Sequence, residues 1–220
     1  MGSLVVELLG GLRVFRDGKP LPPFESRKVE ALLGYLVLHR GRPLPREALA
    51  GLLWPEKEET QARMNLRHAL YVLRRALGSE HFQTSRNWIR FIPAAGLRLD
   101  VEEFEGLLGR EAESGEERRR CLERAVELYR GPFLEGVYED WVLAERDRIR
   151  GRFVDALLEL AGQSARRGEY QRAVGLCRQA LRAAPYSEAA YRHLMQYHYQ
   201  AGAVEEALRA HQECVRALEG

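Results

Sequence analysis

Hydrophobic and polar positions change period several times over the first hundred residues. Residues 5–8 and 12–15 are short apolar runs separated by Gly10-Gly11, and Asp17-Gly18 is a strong turn signal, so strands joined by tight turns are predicted here. From Ser26, a residue suited to capping a helix, the spacing becomes helical. Val29, Leu32, Leu33, Leu36 and Val37 share one face, and Gly41 is the predicted stop. A shorter helix is predicted over 45–54, with Pro45 near its start and Pro55 ending it. Glu58 and Glu59 then open a third helix, where carboxylates favour the helix dipole. After Gly78, β-prone pieces flank the polar Ser85-Arg86-Asn87, which predicts a hairpin.

Strands, three helices and a terminal hairpin, in that order, make the pattern of a winged helix-turn-helix. In that fold the third helix enters the DNA major groove. From Asp100 onward the pattern is helical throughout, with candidate helices at 101–110, 116–130, 140–163, 169–183, 187–201 and 203–218. Within it, RRGEYQRAVGLCRQAL (166–181) aligns with QAGAVEEALRAHQECV (200–215) at a shift of 34, Gly168 falling on Gly202 and Ala173 on Ala207. That is the tetratricopeptide period, in which small residues let paired helices pack closely. The expected fold class is therefore mainly α with a small β component: a winged helix-turn-helix over 1–98 and an all-α, tetratricopeptide-like domain over 99–220.

The third helix carries the distinctive chemistry. Residues 60–78 hold four arginines and a histidine and not one acid. On a helical wheel Leu66, Leu70, Leu73 and Leu77 form one stripe, within roughly 60° of one another. Arg63, Arg74, Arg67, Tyr71, Arg75 and His68 follow over roughly the next 140°, and Asn65 lies towards the other flank. Arginine can grip guanine O6/N7 or a phosphate with two hydrogen bonds, and asparagine can do the same for adenine. Arg86 and Asn87, at the hairpin tip, are placed to reach a minor groove or the backbone as a wing does, or to form a polar turn. Arg27, Arg42 and Arg46 are further phosphate candidates, although arginines at helix ends are more often solvated. The bland alternative for the whole segment is a solvated amphipathic helix.

Charge sharpens this picture. The net charge of +2 hides a split: residues 1–100 carry 16 Lys and Arg against 10 Asp and Glu, a net of +6, and residues 101–220 carry 18 against 22, a net of −4. A basic half beside an acidic half suggests different partners, with nucleic acid for the basic one. With 45% hydrophobic and 30% charged residues the chain reads as globular rather than disordered. No apolar run approaches the ~18 residues of a membrane span, and MGSLVVELLGG lacks the features of a signal peptide. Cys121, Cys177 and Cys214 are odd in number and widely spaced, which fits a reducing cytoplasm.

The chain resembles the SARP-type bacterial transcriptional activators, which join an OmpR-like winged helix-turn-helix to a bacterial transcriptional activator domain of tetratricopeptide-like helices. The resemblance rests on LLGGLRVFRDGKPLP, SRKVEALLGYLVLHRGRPLPREALAGLLWP and ARMNLRHALYVLRRALG. In the second half it rests on DVEEFEGLL, AVELYRGPFLEG, Trp141, Glu145-Arg146, PYSEAAYRHLMQYHYQAG and EALRAHQECVRALEG. It implies sequence-specific binding to double-stranded promoter DNA, often at direct repeats, and recruitment of RNA polymerase holoenzyme. It supports Arg63, Asn65, Arg67, His68, Tyr71 and Arg74 as groove-facing residues. Two departures stand out. Members usually continue past the equivalent of Leu218 with another helical pair, so a truncated second domain is expected. Gly34 stands mid-helix where alanine is usual, at a cost of roughly 1 kcal/mol.

No phosphate-binding loop, zinc-protease or nucleophile-elbow motif occurs, so no catalytic residue, cofactor or metal is expected and the chain does not read as an enzyme. His193 and His198 are five apart and do not share a helix face as metal ligands. Trp54, Trp88 and Trp141 read as packing anchors. Arg118–Arg120 and the run Arg146, Arg148, Arg150, Arg152 have acids interleaved, which predicts salt-bridged surface. The helical half is a candidate for self-assembly on repeated sites, polymerase contact or reception of an unnamed effector. Two other classes stay open: a helical-repeat adaptor whose winged domain binds protein, and a small-molecule sensor.

Overall fold

The computed structural model describes residues 3–93 and 96–219. By compactness the chain forms two units, Met1–Glu103 with Arg130–Arg146, and Phe104–Tyr129 with Asp147–Gly220. The backbone therefore passes from one unit to the other three times.

In the first unit, β1 (Leu4–Glu7) pairs antiparallel with β2 (Arg13–Arg16), and β2 with β3 (Lys19–Pro20). Alternation places Leu4 and Val6 in the core. Asp17 and Gly18, at φ 52° and 75°, make the tight β2–β3 turn. Three helices follow, α1 (Arg27–Leu38), α2 (Arg46–Leu53) and α3 (Glu59–Leu77), with the short β4 (Leu44–Pro45) before α2. Ser26 does precede α1, but its side chain makes no capping bond. The helix ends at Leu38, and Gly41 follows at φ 77°, its N–H donating to the Phe91 carbonyl. Strands β5 (Phe82–Thr84) and β6 (Trp88–Phe91) form the predicted hairpin. The sheet order is β4-β6-β5, and β7 (Arg98–Leu99) returns to lie parallel to β1.

Segment Arg130–Arg146 closes this unit. Leu9 and Phe133 form a bridge, and Leu134 donates its N–H to the Leu8 carbonyl at 2.8 Å. Asp100 staples the same region: its buried carboxylate accepts from the backbone N–H groups of Leu8, Leu9 and Val101 and from Arg130. Leu134 also accounts for Gly34. A Cβ on Gly34 would lie 2.7 Å from Leu134 Cδ1 and 3.5 Å from the Trp141 ring, so α1 gives up helix propensity to seat a fully buried leucine. Arg146 departs from the predicted salt-bridged surface: its guanidinium donates to the carbonyls of Phe133, Leu134 and Val137 at 2.7–2.9 Å. It satisfies the loop that Leu134 anchors.

The helical unit comprises the later part of α4 (Asp100–Gly109), α5 (Gly115–Leu128), most of α6 (Asp140–Arg166), α7 (Tyr170–Ala183), α8 (Glu188–Gln200) and α9 (Val204–Glu219). The 34-residue repeat is visible in its hydrogen bonds. Gly168 donates to the Ala165 carbonyl and Glu169 to Ser164; Gly202 donates to Tyr199 and Ala203 to His198. Both glycines have φ near +78°, so the two turns are the same Schellman cap, 34 positions apart. Ala161, Ala173, Val174, Cys177, Leu194, Tyr197 and Ala210 form the core that these turns enclose.

Candidate nucleic-acid interface

The third helix is held down on the side its sequence predicts. Ala62, Leu66, Ala69, Leu70, Leu73 and Leu77 are buried, whereas Arg63, Arg67, His68, Tyr71 and Arg75 are exposed. Asn65 and Arg74 are half-buried. Burying four leucines and two alanines anchors one face of the helix, and leaves Arg67 and Arg75 exposed on the other.

The polar face divides between two concavities. One, of about 900 Å³, lies between the start of α2, the exposed side of α3 and the β5–β6 turn. It gathers Arg63, Arg67, Tyr71, Arg74, Arg86 and Asn87 of the sequence candidates, and adds Arg46 and Glu47. The other, of about 810 Å³, is bordered by Pro22, Pro23, Phe24 and Trp54, and takes Asn65, His68 and Arg75. Tyr71 touches both. The nine candidates therefore form two groups around one helix. Asn65 is further committed, its Oδ1 accepting from Gln61 at 2.9 Å.

The first cleft is built by bonds between elements distant in sequence. Arg46 donates its backbone N–H to the Asn87 carbonyl at 2.9 Å and its Nε to the Ser85 carbonyl at 3.0 Å, which pins the start of α2 to the hairpin tip. Ser85 Oγ accepts from the N–H groups of Asn87 and Trp88, which shapes the turn that holds Arg86 and Asn87 outward. Arg74 reaches Thr84 Oγ1 at 2.8 Å and the Phe82 carbonyl, tying α3 to β5, while its buried Nε has no partner among the described residues.

The electrostatics are one-sided. Burial, and after it the neighbouring Arg74 and Arg67, push the Arg46 guanidinium below its ordinary pKa. Among the described residues no carboxylate pairs with Arg46, Arg67, Arg74 or Arg86. Arg63 is the exception in this cleft, with Glu47 and Glu59 both on its Nη2. Such a cluster of like charges is relieved by a polyanion. Arg46, a helix-end arginine in the sequence, lines this cleft with Glu47 beside it. Both stand at the head of the helix before α3. Of the other phosphate candidates, Arg27 is paired with Glu30 at 2.8 Å, and Arg42 is exposed just after α1.

The remaining candidates carry little chemistry. In the helical unit Arg118 forms a two-pronged pair with Glu159, Arg119 pairs with Glu123, Arg148 with Glu105 and Arg150 with Asp147. His198 is buried, with no hydrogen-bond partner for either ring nitrogen among the described residues, and His193 stacks on Tyr197. Trp54 is buried, Trp141 packs edge-on against Tyr35 and Phe133, and Trp88 lies under Arg90.

Comparison with known proteins agrees with this architecture. The chain is 32% identical over 155 residues to the transcriptional regulatory protein EmbR of Mycobacterium bovis and of Mycobacterium tuberculosis, over 61% of this chain and 38% of theirs. It thus spans under two-fifths of the length of those relatives. The solved structure of Mycobacterium tuberculosis EmbR in complex with a low-affinity phosphopeptide matches 97% of this chain and 59% of that one, with a TM-score of 0.78 at 23% identity, a likeness of fold. The family model described as the bacterial transcriptional activator domain matches residues 99–220. More than half of the chain is covered by that match, and the chain therefore belongs to the bacterial transcriptional activator domain family.

Proposed function

We propose that this chain is a non-enzymatic, cytoplasmic regulator that binds double-stranded promoter DNA in a sequence-specific way. Residues 1–98 are the DNA-binding part, with α3 laid in the major groove and the β5–β6 hairpin as the wing. Arg67, Tyr71 and Arg74 line the groove side with Arg46 and Arg63. Arg86 and Asn87 meet the adjacent backbone or minor groove. Residues 99–220 mediate assembly on repeated sites, effector reception or contact with RNA polymerase holoenzyme, and the outcome at the promoter is activation.

One observation carries this reading. Arginines from α2, α3 and the hairpin converge on one cleft, and on four of them no carboxylate answers among the described residues. A phosphate backbone relieves such a repulsive cluster on contact and releases counterions.

Titration of the duplex upstream of the protein's own gene, at two salt concentrations and with Arg67→Ala, tests it. Affinity should fall steeply with salt and fall again on Arg67→Ala. Affinity indifferent to both would sink groove binding and favour the adaptor.

A further inference from the structure

Acids are absent from 60–78, but the fold returns them to the cleft. Glu47, the second residue of α2, and Glu59, the first of α3, each place a carboxylate oxygen 2.5 Å from Arg63 Nη2. Glu47 is the acid that lines the cleft, beside Arg46, Arg67 and Arg74. All three members of the triad are well exposed, with side-chain exposure of 49% for Arg63, 74% for Glu47 and 69% for Glu59. Exposed ion pairs of this kind contribute little to stability. A carboxylate in a DNA-facing cleft also repels phosphates. Its presence there calls for a role in recognition.

The geometry suggests which role. Both carboxylates take the same nitrogen, Nη2, and among the described residues Nε and Nη1 have no other partner. Arginine carries five N–H donors in a rigid fork, so a guanidinium held at Nη2 keeps donors to offer elsewhere in a fixed direction. Two carboxylates also cancel its attraction to phosphate, the part of DNA affinity that is blind to sequence. A guanine edge is uncharged and offers two acceptors, so it still rewards a fork held in place.

We propose that Glu47, with Glu59, is a specificity-determining positioning residue: it withholds Arg63 from phosphates and aims it at a base edge. This rests on the DNA-binding reading above. Its consequence is counter-intuitive, because removing the acid strengthens binding to the wrong DNA.

The test measures affinity by fluorescence anisotropy for the upstream duplex and for a scrambled duplex of equal length, across a salt series. It compares the wild-type chain, Glu47→Gln, Arg63→Ala and the double variant. Glu47→Gln should tighten scrambled-duplex binding by about 3- to 10-fold and steepen its salt dependence by up to about one counterion, while the upstream duplex gains less, so discrimination falls several-fold. In the Arg63→Ala background the same substitution should leave discrimination unchanged. An unaltered ratio for Glu47→Gln overturns the proposal, and so does an equal fall without Arg63, which would make Glu47 a bulk charge. Either result leaves wild-type binding, and thus the functional reading, intact. If the wild-type chain binds neither duplex, the functional reading itself fails and this proposal fails with it.

Discussion

Arginine serves opposite ends in the two units. In the helical unit the guanidiniums of Arg118, Arg119, Arg148, Arg167 and Arg172 each meet a glutamate, and Glu123 takes both Arg119 and Arg172. The carboxylates there respond: Glu159, hydrogen-bonded by Arg118, is held below the usual glutamate range. In the first unit, Arg46, Arg67, Arg74 and Arg86 share a cleft with one another, and burial, then Arg74 and Arg67, hold the Arg46 guanidinium below its ordinary pKa. The same side chain is a surface fastener where a glutamate meets it and, on the proposed function, a DNA-facing group in the cleft, where Arg63 alone of the cleft arginines is paired with a carboxylate among the described residues.

The sharpest test separates the two faces of α3. Leu70→Ala removes a fully packed side chain and should destabilise the first unit by about 2–5 kcal/mol in denaturant unfolding. Arg67→Ala, on the exposed face, should leave the unfolding midpoint where it is and cost about 1–3 kcal/mol of binding to the upstream duplex. If the leucine variant lost binding without losing stability, the two-faced account of the helix would break. Arg118→Ala is the matching change in the helical unit. DNA affinity should be unmoved and stability should fall by no more than about 1 kcal/mol, since the pair is partly exposed. A loss of DNA affinity there would erase the contrast between the arginines of the two units.

Gly34→Ala probes the packing that the first unit alone requires. Helix propensity favours alanine by roughly 1 kcal/mol. The added methyl meets a buried Leu134 that has little room to retreat, and overpacking costs about 1–3 kcal/mol. Net destabilisation in thermal unfolding is expected, and a stabilised variant would show that Leu134 yields freely. The smallest effect concerns pH. Burial, and then Arg178, hold the His198 imidazole below its ordinary pKa. The unfolded chain therefore takes up the proton first, and stability present above about pH 6.5 is lost as pH falls below it. His198→Phe should flatten that decline in denaturant midpoints measured across the range, whereas an equally steep decline would assign it to other groups.

Much of the fold was legible in advance. The strand, helix and hairpin order, the leucine stripe of α3 and the 34-residue shift all come from local periodicity, and helix ends fell within a few residues of prediction. Three features were not legible. Segment Arg130–Arg146 packs with the first unit, because its bonds to Leu8 and Gly10 join residues more than a hundred positions apart. Gly34 stood only as a departure from alanine with a cost in helix propensity, because the leucine it accommodates lies a hundred residues on. Arg146 read as one charge in a run, because the carbonyls it satisfies belong to a loop with no periodic signature.

Sequence by itself determined that α3 has an apolar face and an arginine face, since a helix translates spacing directly into direction. It also determined that this segment contains no acid. Only the tertiary structure decided which arginines share a cleft, by tying Arg46 to Ser85 and Asn87 and setting Arg74 against Thr84. It also decided that the cleft is not free of acids. Glu47 reaches Arg63 from sixteen positions away, across a turn between helices. Charge acts through space over a few ångströms, and that distance is set by how the elements pack.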